Sequence, residues 1–384
     1  MFSQEQLNKF STQETPFYYY DLALLRRTLE ACSTASSKYN FHVHYAMKAN
    51  VDPRVLDTIR SFKIGADCVS GGEVKKAIEC GFTNDKVVFA GVGKSDPEIN
   101  YALDQDIFCF NVESIQELEI INELALQKGK TAKVALRINP NVNAYTHKYI
   151  TTGLEENKFG INQWEFEKVA AAIKILSNIE CIGLHFHIGS QITDFNVFKS
   201  LCIKVNEIVN WFTNHHFNIK VINVGGGLGV DYYNPDTNNI VDFETYFRIF
   251  DSFLERSANQ EVHFELGRAL VANCGSLISR VLFVKYGQVT NFAILDAGMT
   301  ELMRPALYQA YHKIENLSKD HNVKNKKYDV VGPICESTDC FGKAVELPDT
   351  NRGDLIAIRT AGAYGEVMAS NYNLRNKVNV IYNE

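Results

Sequence analysis

No stretch of this chain approaches the ~18 consecutive apolar residues that a membrane-crossing helix needs, so no membrane span is expected. A basic segment followed by an apolar core does not open the chain either, and no export signal is expected. Positive charge is short: 39 Lys and Arg against 45 Asp and Glu leave a formal net charge of -6. That balance argues against nucleic-acid or anionic-membrane partners, which attract basic surfaces. The nine cysteines contain no CxxC pair. Odd in number and scattered, they fit reduced thiols of a cytoplasmic protein better than a disulfide framework or a zinc site. Internal repeats, low-complexity tracts and charge runs are absent too, so neither a disordered tail nor a long linker is indicated. What is present is globular material, 46% hydrophobic over 384 residues. That length exceeds what one hydrophobic core usually holds, and two domains are the expectation.

From His42 onward, short apolar runs alternate with amphipathic segments. Strands are predicted at 42–47, 63–70, 86–91, 107–112, 133–139, 180–188, 221–227 and 262–266. Helical periodicity fills the intervals, as in GEVKKAIECG and VFKSLCIKVNEIVNWF. Eight strands alternating with helices point to an α/β chain with a (β/α)8 TIM barrel. A doubly wound open sheet is the competing layout, and the lack of GxGxxG after the first strand disfavours it. After Arg268 the rhythm turns to strand-like runs without crossover helices, and PFYYYD near the start belongs to none of the eight. The expected organisation is therefore a barrel over 28–270 and a mainly β domain built from both termini, 1–27 and 271–384.

A barrel collects its chemistry at the C-terminal ends of its strands. Lys48 ends the first. There desolvation would favour the free amine that Schiff-base chemistry needs, although a lysine snorkelling to solvent is the plain alternative. Gly225, Gly226 and Gly227 follow the seventh strand, where backbone amides can close on a phosphate; a tight turn is the duller option. Arg268, past the eighth strand, suits a phosphate or a substrate carboxylate, or else a surface ion pair. Glu265 ends an apolar strand and needs a cationic or protonated partner, either a pyridinium nitrogen or a salt bridge with Arg137. His187, followed by Gly189 and Ser190, suits stacking on a flat ring, and His185 points to the same strand face. The pair lacks a companion carboxylate or cysteine at ligand spacing, and no metal is expected. Beyond the barrel, Arg304 and Tyr308 stand at helical i, i+4 spacing and could grip a carboxylate together, or simply form a solvated helix face. Carboxylates flank Cys335 in CESTD, which suits proton transfer better than standing nucleophilic attack; a small buried hydrophobe is the alternative.

HYAMKAN, ADCVSGGE, GVGKSDPEI, RINPNV, THKYITTG, KFGI, HFHIGSQ, GGGLGVDY, ELGR, DAGMTELMRPALY, GPICESTD and GAYGEVMASNYN occur in this order. Together they resemble the diaminopimelate decarboxylases, of the alanine-racemase-like fold type of pyridoxal-phosphate enzymes. The resemblance runs from about Pro16 to the C-terminus. It implies that Lys48 carries pyridoxal 5'-phosphate, that His187 stacks on its ring and that Glu265 meets its pyridine nitrogen. Ser190, Gly226, Gly227, Gly267 and Arg268 would surround phosphate and substrate. Arg268, Arg304 and Tyr308 would hold the substrate's distal carboxylate and Glu336 its distal amine. Cys335 would transfer a proton, and Tyr364 would touch cofactor and substrate. The same resemblance implies a homodimer in which Cys335 and Glu336 serve the neighbouring subunit's site. One departure is Leu266, where the family usually has proline, a difference that affects turn stiffness rather than ligand contact. The expected activity is conversion of meso-2,6-diaminoheptanedioate to L-lysine and CO2. A sister decarboxylase of ornithine, arginine or carboxynorspermidine is the near alternative. A non-catalytic pyridoxal-phosphate carrier is a more distant one, since such proteins lack a second domain.

Overall fold

A computed structural model describes residues 2–142, 158–319 and 325–384. The THKYITTG motif at 146–153 lies outside the described residues. One strand, β1 (Phe17–Asp21), precedes the eight of the barrel. These are β2 (Phe41–Ala46), β3 (Gly65–Cys68), β4 (Val87–Phe89), β5 (Cys109–Val112), β6 (Ala132–Ile138), β7 (Ile179–Phe186), β8 (Val221–Asn223) and β9 (Glu261–Leu266). Each pairs in parallel with its sequence neighbour, and β9 returns to β2, which closes the cylinder. The sheet strands that follow are β10 (Gly275–Tyr286), β11 (Asn291–Leu295), β12 (Ile314–Asn316), β13 (Asn325–Val331), β14 (Cys340–Pro348), β15 (Leu355–Ile358) and β16 (Asn379–Asn383).

The barrel strands form where buried β-branched and aromatic residues cluster; β3, β4, β5 and β8 are buried at every position. Between them, helices start at explicit caps. Asp52 accepts from the amides of Arg54 and Val55 ahead of Pro53, and Ser70 and Ser114 cap the helices Gly71–Glu79 and Ile115–Gln127. Phe264 of β9 anchors the layer under the helix Phe243–Phe253, with Phe247 and Phe250 rings edge-on at 4.9 Å. Six of the eight predicted strands end before their expected limits, β8 by the most. β8 stops at Asn223, whose side-chain oxygen takes the Gly225 amide just before that glycine turns to φ +72°. β7 stops at Phe186.

The second unit is an eight-stranded sheet ordered β12-β15-β10-β11-β13-β14, with β1 set between β10 and β16. β1 is the PFYYYD run expected to join it. Its core gathers Phe10, Phe17, Tyr19, Ile278, Leu355 and Ala357. β12 and β14 are not among the expected strands: β12 has only three residues, and β14 carries a broken polar pattern. The two compact units comprise 1–28, 230–241 and 271–384 in one and 29–229 with 242–270 in the other. The division departs from the expected boundaries at 230–241, which the sequence places in the barrel. There Asp236 pairs with Arg359 at 2.8 Å, and Asn273 donates to the carbonyls of Asn238 and Asn239. Among the described residues no helix is long and apolar enough to cross a membrane.

Gly183 of β7 faces Val221 of β8 so closely that a methyl there would strike the Val221 carbonyl and lie 2.8 Å from its Cβ. Gly183→Ala is therefore expected to destabilise the barrel by about 1–3 kcal/mol in denaturant unfolding. A variant as stable as the parent would contradict this packing.

Candidate active site

The lumen of the barrel is organised around Glu265, which is buried at the end of β9. Its Oε2 faces His185 Nε2 of β7 at 3.0 Å, and its Oε1 accepts from Asn111 of β5 at 3.0 Å and Asn223 of β8 at 2.7 Å. Three strands thus aim donors at one carboxylate because inward positions recur at every second residue. Burial by itself would raise the Glu265 pKa. The His185 charge and hydrogen bond, with Lys48 adding, outweigh it and hold the carboxyl well below the usual range. The anticipated salt bridge to Arg137 does not form. Arg137 instead donates to Glu113 at 2.9 Å, both buried.

Lys48 sits in the single turn Met47–Ala49 that follows β2, half-buried rather than on the strand itself. Gly267 makes the approach of this turn possible, since a Cβ there would lie 3.1 Å from both Ala46 and Ala49 Cβ. The Lys48 charge acts on Asp67, Glu73, His187 and Glu265. Loss of hydration pushes the His187 imidazole well below its ordinary pKa, and Lys48 and Arg137 push it further. The Gly226 amide donates to His187 Nδ1 at 3.4 Å, which leaves a neutral ring its proton on Nε2. A neutral, oriented imidazole suits face contact with an aromatic ring.

Asp67 of β3 does not stand out in the sequence, yet it is the unusual carboxyl of the rim. Burial, then the Glu265 charge, raises its pKa well above the carboxylate range, and its Oδ1 has no hydrogen-bond partner. Asp67 and Glu265 are therefore driven apart, one kept protonated and the other ionised, which is the pattern of a site that handles protons. Asn111 and Asn223 are likewise absent from the sequence-derived candidates. The available signal is a lone polar residue inside an all-buried strand, in IFCFNV and VINVGGG, which has to find a partner.

The glycine run lines the rim beside β8. Gly225 at φ +72° and Gly227 at φ +101° take conformations other residues rarely adopt, and a Cβ on Gly226 would strike the Glu265 carbonyl. The amides of Gly225, Gly226 and Gly229 are already engaged. Among the described residues no acceptor faces the amides of Gly227 and Leu228. Nearby, Arg268 is buried and donates to Ser190 Oγ at 3.0 Å. Two open amides, a hydroxyl and a buried guanidinium fit a phosphate.

The remaining sequence candidates lie in the sheet unit. Arg304 opens the five-residue helix Arg304–Tyr308, buried, with Nη1 donating to His312 Nε2 at 2.7 Å and its guanidinium 5.1 Å from the Tyr232 ring centroid. Tyr308 ends that helix half-buried. Cys335 and Glu336 are exposed on the β13–β14 loop, so Cys335 is not a small core hydrophobe in this chain. Asp339 shapes that loop by accepting from the amides of Met299 and Ile334 at 2.6 and 2.7 Å. Glu336 accepts from Tyr372 at 2.9 Å. Tyr364 adopts φ +56°, a strained backbone for a bulky residue and a feature that concentrates at functional sites.

Residues 22–272 match the family described as pyridoxal-dependent decarboxylase, pyridoxal binding domain. The chain is 56% identical over 370 residues to a diaminopimelate decarboxylase of Bacteroides thetaiotaomicron, covering 96% of this chain and 95% of the relative. A diaminopimelate decarboxylase of Neisseria meningitidis serogroup B is 41% identical over 94% of this chain and 86% of the relative. The crystal structure of diaminopimelate decarboxylase from Helicobacter pylori complexed with L-lysine superposes with a TM-score of 0.92 at 38% identity, covering 100% of this chain and 94% of that one.

Asp67→Asn tests the division of the two carboxyls. A group whose pKa is raised by folding favours the native state below its unfolded value, about 3.9, and loses that contribution as pH rises through the folded value. In urea unfolding of the cofactor-free protein, the variant should gain on the parent as pH rises from about 4, reaching on the order of 1–3 kcal/mol. A difference that does not change with pH would refute a protonated Asp67.

Proposed function

The chain belongs to the diaminopimelate decarboxylases, a group of pyridoxal-dependent decarboxylases, and on that premise we infer that it converts meso-2,6-diaminoheptanedioate to L-lysine and CO2. The observation that carries this reading is the 56% identity over nearly the whole length of both chains, with Lys48 and an ionised Glu265 on one barrel rim. When bound, pyridoxal phosphate supplies a cationic ring that takes up the electron pair left by the departing carboxylate. Lys48 Nζ would hold the cofactor through its aldehyde and, freed from it, would be available as an amine beside the substrate. Glu265, anchored by His185, Asn111 and Asn223, keeps a proton on the pyridine nitrogen. His187 would lie against the cofactor ring. Gly227 and Leu228 offer amides to the phosphate, with Ser190 and Arg268 beside them, and Gly226 and Gly267 give the backbone room.

Arg268, Arg304 and Tyr308 bind the distal carboxylate, and the choice of a dicarboxylic substrate follows from the two guanidinium groups. Glu336 contacts the distal amine, either Cys335 or Lys48 returns the proton after CO2 leaves, and Tyr364 touches cofactor and substrate. In this proposal Cys335 and Glu336 act in the neighbouring subunit of a homodimer, so an isolated subunit is inactive. The exposure of both on one loop supports that role. The protein works in the cytoplasm, consistent with its nine free cysteines.

Release of CO2 from diaminopimelate, ornithine, arginine and carboxynorspermidine, measured in parallel with the purified holoenzyme, tests the assignment. Diaminopimelate should be turned over with the highest kcat/KM. Arg304→Ala should raise its KM by about tenfold or more, the loss expected for one charge-assisted bond. Unchanged kinetics in the variant, or faster turnover of ornithine, would contradict the substrate.

A further inference from the structure

The end of the barrel remote from Lys48 holds a second convergence of titratable side chains that the proposed chemistry does not use. His42 of β2 and His263 of β9 are register partners in the parallel pair that closes the barrel, and their rings stack 4.8 Å apart. Glu261 stands two residues before His263, the spacing that returns a strand side chain to the same face. One ligand atom from each of the three lies within 4.8 Å of the other two. His263 is buried, while His42 and Glu261 are exposed and line a cavity of about 390 Å³ at the starts of the strands.

Hydrogen-bond direction distinguishes this cluster from chance neighbours. The Lys86 carbonyl can only accept, so His44 Nδ1, 3.1 Å away, donates to it. His44 is buried, and a charged ring there would be costly to desolvate. In the neutral ring Nε2 accepts from His263 Nδ1 across 2.8 Å. His263 Nε2 in turn faces Glu261 Oε2, 3.2 Å away, a contact that a proton or a bound cation completes. Gly65 keeps the relay clear, because a Cβ there would sit 2.5 Å from both His44 Nδ1 and the Lys86 oxygen. A chain from imidazole to imidazole to carbonyl is the outer support that holds a metal-ligating histidine in one tautomer. A bare proton would also fill the gap, but the second imidazole alongside and the open cavity favour a larger cation.

We propose that His42, His263 and Glu261 bind one divalent transition-metal cation of the Zn²⁺ type, with water completing a tetrahedral set. Two neutral imidazoles and a carboxylate are ligands that Zn²⁺ takes at about 2.0–2.2 Å, and the two exposed side chains can turn inward to reach that distance. The ion would tie the first barrel strand to the last across the closing seam. It therefore acts on stability and not on the chemistry at the opposite rim.

The experiment uses chelator-treated, pyridoxal-phosphate-loaded enzyme, titrated with Zn²⁺ in a calorimeter and with Co²⁺ in a visible spectrometer. The expected result is one site per chain, with Co²⁺ d–d bands and no thiolate charge-transfer band. His42→Ala and Glu261→Gln should each weaken binding at least tenfold and abolish a Zn²⁺-dependent rise in Tm, while decarboxylation at 25 °C stays at the parent rate. Equal affinity in parent and variants, a thiolate band that places the metal on cysteine, or no binding by the parent would each overturn the proposal.

Discussion

A carboxylate inside a barrel mouth stays ionised only when donors reach it from several strands at once, and Glu265 is held in this way. His185, Asn111 and Asn223 come from β7, β5 and β8 and converge on its two oxygens. Each removes part of the desolvation cost that would otherwise neutralise the group. The rest of the rim takes its electrostatic character from this anion. Burial and then this anion raise Asp67 across the lumen, while burial and the Lys48 charge keep His187 neutral against the opposing pull of Glu265.

Strand alternation and closure make that convergence possible. Eight short parallel strands place inward positions in layers, so residues distant in the chain meet at one height in the lumen. The buried ion pairs of Arg137 with Glu113 and of Lys94 with Glu117 hold further charge near the rim without engaging Glu265. The glycines serve the same end: Gly225, Gly226 and Gly267 let backbone segments approach where a side chain would collide.

Much of this architecture is legible in the order of the residues. The eight runs of apolar residues map onto the eight barrel strands, because parallel strands buried on both faces leave a nearly continuous hydrophobic signature. PFYYYD joins the sheet unit for the same reason. β14 is hidden by its exposed, polar middle, and the transfer of 230–241 to the sheet unit depends on the Asp236–Arg359 pair, which sequence spacing cannot reveal. Among site residues, Lys48, His187, Glu265 and Arg268 stand out because each is a reactive or charged group at a strand end. Asp67, Asn111 and Asn223 do not, since a single polar residue in an apolar run gives no indication of which strand supplies its partner. A Glu265–Arg137 pair is suggested by charge alone, and two asparagines and a histidine supply the donors instead.

The position of Glu265 matters only if the cofactor ring is delivered to it by the amine at the end of β2. Borohydride reduction of the holoenzyme, followed by proteolysis and peptide mapping, tests that delivery directly. The account predicts that the reduced cofactor is found on Lys48, in the peptide spanning HYAMKAN. Label on any other lysine, with Lys48 unmodified, would contradict it.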